Sequence, residues 1–212
     1  MTDHLDLERA DLRSRAPTEA AMVDLGPAAR RTACLVAGIG DAQLAAPTPC
    51  SEFTLGELLR HVGEMATTFT AAARKRRDAS PVREGDDDTA SAKALRERVR
   101  ADVLGLALAW RTPTAWTGET TAAGTRLDSA TAGLIALDEL VVHGWDIARA
   151  SGQGFDCDPH SVRFATSFFA RLPEPMRHGR FGPPVDPPAH ATELERLIAL
   201  SGRDPVWAPT VT

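Results

Sequence analysis

The chain has 212 residues, 43% hydrophobic and 25% charged, with a formal net charge of −5. That length buries a core without help from disulfides, and the acidic balance excludes a nucleic-acid partner, which requires basic excess against phosphate. The cysteines Cys34, Cys50 and Cys157 form no CxxC pair, which argues against a zinc ribbon or a disulfide framework and fits a reducing compartment.

Residues 1–18 are charged without apolar periodicity and read as a flexible leader. They carry no signal-peptide core, and no later apolar run reaches membrane-spanning length. The expected location is therefore cytoplasmic, with no membrane partner. Residues 19–212 read as one helical domain. A first helix is expected over Ala20 to Ile39, with Val23, Ala33, Leu35, Val36 and Ile39 as its apolar face and Pro27 as a kink or restart. The run Ala45-Ala46-Pro47-Thr48-Pro49-Cys50-Ser51 is an extended loop, because residues before proline leave the helical region. Thr54 and Glu57 form a capping box that opens a second helix to about Arg77. The basic run from Arg74 to Arg77 is answered by the acidic linker Glu84 to Asp88, so it reads as a solvated helix end.

A third helix is expected from about Thr89 to Trp110, burying Leu95, Val99, Val103, Leu104 and Leu106. Residues 111–127 read as a loop or short hairpin. A fourth helix runs from about Asp128 to Ala150 and stops at Ser151-Gly152. Short helices follow at Pro159 to Arg171 and Ala191 to Ser201. Between them, residues 173–188 hold six prolines and must be irregular. No alternating run is long enough to build a sheet. The fold class is all-α, with four main helices and short C-terminal ones.

The fourth helix is the informative one. It is apolar on nearly every side, as a buried helix must be, yet Glu139, His143 and Asp146 fall on one line at spacings of four and three residues. Burying a carboxylate and an imidazole without partners costs several kcal/mol. A divalent metal would compensate, taking carboxylate oxygen and imidazole nitrogen together. Two ligands from one helix need a third from another element, and His61 sits in the apolar neighbourhood of Leu58, Leu59 and Val62. Three protein ligands leave positions open for water or substrate.

The same residues admit a plainer account. Glu139 and His143 can be a hydrogen-bonded pair, Asp146 a backbone cap and His61 a satisfied core histidine. If a metal is present, Asp146 is either a fourth ligand or the group that orients a ligating histidine. Cys50 sits after Pro49 in a loop with no adjacent histidine, so it reads as a packed or merely exposed thiol. His4, His160, His178 and His190 fall in tails or polar loops and read as solvated. Trp116, Trp145 and Trp207 read as core or docking residues.

Three blocks carry a family resemblance. Thr48-Pro49-Cys50-Ser51-Glu52-Phe53-Thr54 with Leu58-Leu59-Arg60-His61-Val62, then residues 138–152, then residues 197–207, resemble in order the motifs of the mycothiol-dependent maleylpyruvate isomerase-like proteins of actinobacteria. These lie within the DinB-like metalloprotein superfamily. The resemblance implies a DinB-like four-helix bundle and a divalent metal, zinc by usual assignment, on His61, Glu139 and His143. Nickel and iron suit the same donor set. It also implies mycothiol as thiol cosubstrate and a small electrophilic partner. The two-domain isomerases of the family carry a further C-terminal domain, whereas this chain is expected to end after the bundle and a short tail.

Two functions follow as expectations. The first is a metal-dependent enzyme in which a thiol, its pKa lowered by the ion, attacks a small electrophile. Isomerisation releases the thiol again, and S-transfer retains the new C–S bond. In this account Asp146 has the catalytic role of orienting His143 or acting as a base. Arg149, one turn further on, is the candidate for binding the cofactor or a substrate carboxylate; its alternative is a helix-end cation. The second function is a non-catalytic metal-containing bundle that binds a small ligand or a protein partner. Homodimerisation through a helix face is compatible with either.

Overall fold

A computed structural model describes residues 22–76, 91–172 and 181–209. The expected leader, the acidic linker, His4 and His178 lie outside the described residues. Four helices build the core: α1 (Gly26–Ala37), α2 (Leu55–Ala73), α3 (Ala92–Ala109) and α4 (Ser129–Ser151). Each of α3 and α4 packs against both α1 and α2, the arrangement of a four-helix bundle. Two further helices, α5 (Pro159–Arg171) and α6 (Glu193–Leu200), pack on each other, and α5 also packs on α4. No helix among the described residues is long and apolar enough to cross a membrane.

Helix starts follow the side chains that can satisfy free backbone N–H groups. Thr54 opens α2 through the expected capping box, with the Thr54 N–H donating to Glu57 Oε2 at 2.8 Å. An unforeseen second box, Thr192 with Glu195, opens α6 two residues later than Ala191. Asp128 caps α4 by accepting from the Thr131 N–H at 2.9 Å. Pro27 begins α1 rather than kinking it, so the helix starts at Gly26 and not at Ala20; residues 22–25 are irregular. At the other end of α2 the chain leaves the helix at Ala73, short of Arg77. Lys75 takes a left-handed φ of 56° there, and its Nζ donates to the carbonyls of Ala115 and Thr117 and to Ser129 Oγ.

Two further differences from the sequence reading have simple causes. In α3, Leu95, Val99, Val103 and Leu106 are buried as expected, but Leu104 is 43% exposed. It stands about 100° around the helix from Val103, outside the stripe. Residues 119–128 form an antiparallel hairpin, β1 (Glu119–Ala122) with β2 (Thr125–Asp128), pairing Glu119 with Asp128 and Ala122 with Thr125. Its turn places Ala123 and Gly124 at φ of 48° and 75°, the left-handed pair that suits the strand twist. The missing alternation does not prevent this sheet, because Thr120 and Ala122 dock on the bundle, with Thr120 Oγ1 donating to the Ala72 carbonyl at 2.6 Å.

The C-terminal segment positions part of the site. Residues 181–192 have no helix or strand, as the prolines require, and Val185 N–H donates to the Ala199 carbonyl at 3.0 Å. After α6 the chain turns at Gly202, with φ of 84°, against the backbone of Gly182. A Cβ on Gly202 would lie 2.7 Å from Gly182 atoms. This turn sends Arg203 inward, to 7% exposure.

Candidate metal centre

The middle of α4 is buried almost all round, and its polar line survives inside it. His143 Nε2 lies 3.2 Å from Glu139 Oε2, and His61 Nε2, from α2, approaches the same oxygen at 3.5 Å. Although both imidazoles are this close, Glu139 Oε2 is buried and receives no well-aligned hydrogen bond. Three donor atoms of His61, Glu139 and His143 lie within 4.8 Å of one another. Convergence on a point, rather than pairing along hydrogen-bond directions, is how ligands are arranged around an ion. The His61 side chain is 27% exposed and that of His143 10%, so the cluster is open to solvent on its His61 side.

His61 is held by its neighbours. Phe53 stacks on it with ring centroids 5.0 Å apart, and His143 meets it edge-on at the same distance. Phe53 is set by the turn before α2, where buried Thr48 donates through Oγ1 to the carbonyl of Phe53 at 2.9 Å, an arrangement shared with the Cys50 carbonyl at 2.8 Å. His143 is held from behind. Its Nδ1 lies 2.9 Å from Asp146 Oδ2, and since a carboxylate oxygen accepts, the Nδ1–H is the donor and Nε2 faces Glu139.

Asp146 is fully buried and stands behind His143, with Arg203 Nη2 donating to its Oδ2 at 3.3 Å. Arg149 points elsewhere. Its Nε donates to the Trp207 carbonyl at 3.0 Å, its Nη2 donates to the same oxygen, and its guanidinium lies 5.8 Å from the Trp145 ring centre. Among the other expected residues, His160 and His190 are exposed, and Trp116 and Trp145 are buried.

Charge accounts for the protonation of the cluster. Burial pushes the Glu139 carboxyl up, but the imidazoles of His143 and His61 outweigh it and hold the group well below the usual carboxylate range. Burial likewise pulls His143 down, yet the carboxylates of Asp146 and Glu139 raise it to about 9. The free cluster is thus a carboxylate with an imidazolium beside it.

Sequence reasoning missed several residues here. Arg203 and Phe53 were present only as letters in motif blocks, with no local signal for their direction. Cys50 is half-buried, and the folded chain puts its Sγ within 4.8 Å of donor atoms of His143 and Asp146, so the lack of a neighbouring histidine holds only along the chain. Burial pushes its thiol up, and the opposing Arg203 charge does not offset this, which makes Cys50 a poor nucleophile. Cys50, His143 and Asp146 are a weaker cation site, because Nδ1 is already committed and Arg203 brings positive charge.

Asp138 was also missed. It is 1% exposed, and neither oxygen has a partner among the described residues; burial and the Glu139 charge hold its carboxyl well above the ordinary value of 3.8. The unfolded chain releases that proton first, so the native state loses stability as pH rises beyond 3.8. Asp138→Asn should therefore stabilise the metal-free protein by roughly 1–2 kcal/mol at pH 8, with a smaller gain at pH 4. Thermal unfolding at the two values checks this, and a variant that melts below wild type at pH 8 contradicts it.

Residues 25–148 match the family model of the mycothiol maleylpyruvate isomerase N-terminal domain. The chain belongs to this family. The matched region contains His61, Glu139, His143 and Asp146 and stops before Arg203. Uncharacterised proteins from two strains of Mycobacterium tuberculosis are each 27% identical to the chain over 179 residues, covering 81% of it and 91% of their own length. Crystal structures of the mycothiol-dependent maleylpyruvate isomerase share its fold. One of the enzyme has 17% identity, and one of a histidine-to-alanine variant has 16%. Both align with a TM-score of 0.54, over 74% of this chain and 70% of theirs.

Proposed function

We propose that the protein is a divalent-metal-dependent enzyme that joins mycothiol to a small electrophilic substrate, for isomerisation or for S-transfer. The observation that carries the metal is the buried Glu139 oxygen, approached by two imidazole nitrogens and hydrogen-bonded by neither. The donor set of two imidazoles and one carboxylate fits zinc, and nickel or iron as well. Family membership supports mycothiol as the thiol.

His61, Glu139 and His143 would hold the ion, which when bound supplies an open position for the thiol and favours its thiolate at neutral pH. Asp146 accepts from His143 Nδ1–H and so keeps Nε2 turned toward Glu139. In this reading Asp146 acts through His143, because its Oδ2 is engaged by both His143 and Arg203. Phe53 stacks its apolar ring on His61. Arg149 remains the candidate group for holding the cofactor or a substrate carboxylate, at the expense of its hold on Trp207.

Cobalt substitution tests the thiol step. The visible spectrum of the cobalt-loaded protein should shift when mycothiol is added. A cobalt spectrum indifferent to the thiol, with no thiol consumed by any electrophile, favours instead the non-catalytic bundle.

Proton linkage tests the metal step. In the metal-free protein, His143 contributes stability that is present below its ordinary value of 6.5 and is lost as pH rises through about 9. Zinc uptake at pH 7.5 must therefore displace that proton. Calorimetry in buffers of different ionisation enthalpy should read about one proton released per ion. Release near zero contradicts His143 as a ligand.

A further inference from the structure

Arg203 lies outside the matched family region, comes from a different part of the chain, and yet ends inside the site. A buried guanidinium is costly unless its donors and its charge find partners. Nη1 donates to the Ser201 carbonyl at 3.0 Å, and Nη2 reaches Asp146 Oδ2 at 3.3 Å across a sequence gap of 57 residues. The same Oδ2 accepts from His143 Nδ1 at 2.9 Å. One oxygen thus joins Arg203 to His143, and His143 Nε2 faces the Glu139 oxygen on which His61 also converges.

We propose that Arg203 is a positioning residue for the metal centre: through Asp146 Oδ2 it fixes the orientation and tautomer of His143, and so sets the metal affinity of His61, Glu139 and His143. The inference rests on the metal reading above. Three features support a built device. The guanidinium has a rigid donor fork, so it constrains a carboxylate in direction as well as in charge. Asp146 Oδ1 has no partner among the described residues, so Oδ2 carries the whole hold on this carboxylate. The left-handed turn at Gly202, packed on Gly182, holds the segment that aims Arg203 inward, and Arg149 holds the same segment further on at Trp207. Without Arg203, Asp146 is a buried carboxylate held by His143 alone, and the direction of the bond that fixes the His143 proton on Nδ1 is no longer set.

The test uses the full chain and zinc. Arg203→Gln should weaken zinc binding about tenfold to a hundredfold with the stoichiometry unchanged, the range expected for a group that supports a ligand from behind. Arg203→Lys should recover part of that loss, since charge is kept and the fork is not. In an Asp146→Asn background, Arg203→Gln should add no further loss, because its path to His143 is already cut. Losses that multiply independently, or a folded Arg203→Gln protein with wild-type affinity, overturn the proposal. A second reading needs no metal. The downfield Nδ1–H proton resonance of His143 should be visible in metal-free wild type and broadened or lost in Arg203→Gln and Arg203→Lys in that order of severity. Its persistence in both overturns the positioning role. Wild type that binds no zinc overturns the metal reading itself, and with it the effect on affinity, while the proton signal still reports on His143.

Discussion

Glu139→Ala is expected to lower zinc affinity at least a thousandfold, or about 4 kcal/mol at 1.4 kcal/mol per decade. The donor set falls from three to two, and the two that remain are neutral imidazoles whose ring centres stand 5.0 Å apart. Of the three proposed ligands the carboxylate alone is negative, so its loss also removes the charge that favours a dication over water. The metal-free variant should stay folded, because the Glu139 side chain is partly exposed and α4 keeps its apolar packing. His143 should also titrate at lower pH, since one of the two carboxylates that raise it is gone. Equilibrium dialysis with elemental analysis reads the first effect, and proton NMR of His143 reads the second. Near-wild-type zinc binding by a folded Glu139→Ala protein would exclude this residue as a ligand.

Trp110→Ala should cost about 3–5 kcal/mol of stability, the range for deleting a fully buried large side chain. Trp110 is 1% exposed and sits where α3 ends. Its Nε1–H donates to the Phe69 carbonyl of α2 at 3.1 Å, and its own carbonyl accepts from Trp116 Nε1–H at 2.7 Å. The two indole rings pack edge to face at 4.9 Å. Gly133 of α4 leaves room for both; a Cβ there would come within 2.5 Å of Trp116 and 2.9 Å of Trp110. The substitution therefore opens a cavity between three elements and removes the indole hydrogen bond to the Phe69 carbonyl. At about 2–4 °C per kcal/mol for a chain of this size, the melting temperature should fall by about 10 °C. A fall of less than about 2 °C would mean that the cavity collapses without cost.

Local chemistry explains which parts of this protein are legible in order of residues. Thr54 and Glu57 announce the start of α2 because a capping box closes within four residues. Glu139, His143 and Asp146 announce a polar line because helical spacing alone brings them together, as the 3.2 and 2.9 Å approaches to His143 bear out. Leu104 was misread because a leucine count does not tell which side of a helix meets a neighbour. The hairpin was half-read, since strands of four residues derive their support from docking on the bundle rather than from their own alternation.

By itself the sequence determined the all-α class, the approximate positions of the four core helices and the buried polar line on α4, because each depends on periodicity and capping within a few turns. Only the tertiary structure decided that His61 reaches Glu139, that Cys50 lies beside His143 and Asp146, that Arg149 holds Trp207, and that Arg203 closes on Asp146. Those contacts join residues far apart along the chain. Their geometry is set by how whole helices pack and where the chain turns back, as at Gly202, and no spacing rule along one element contains it.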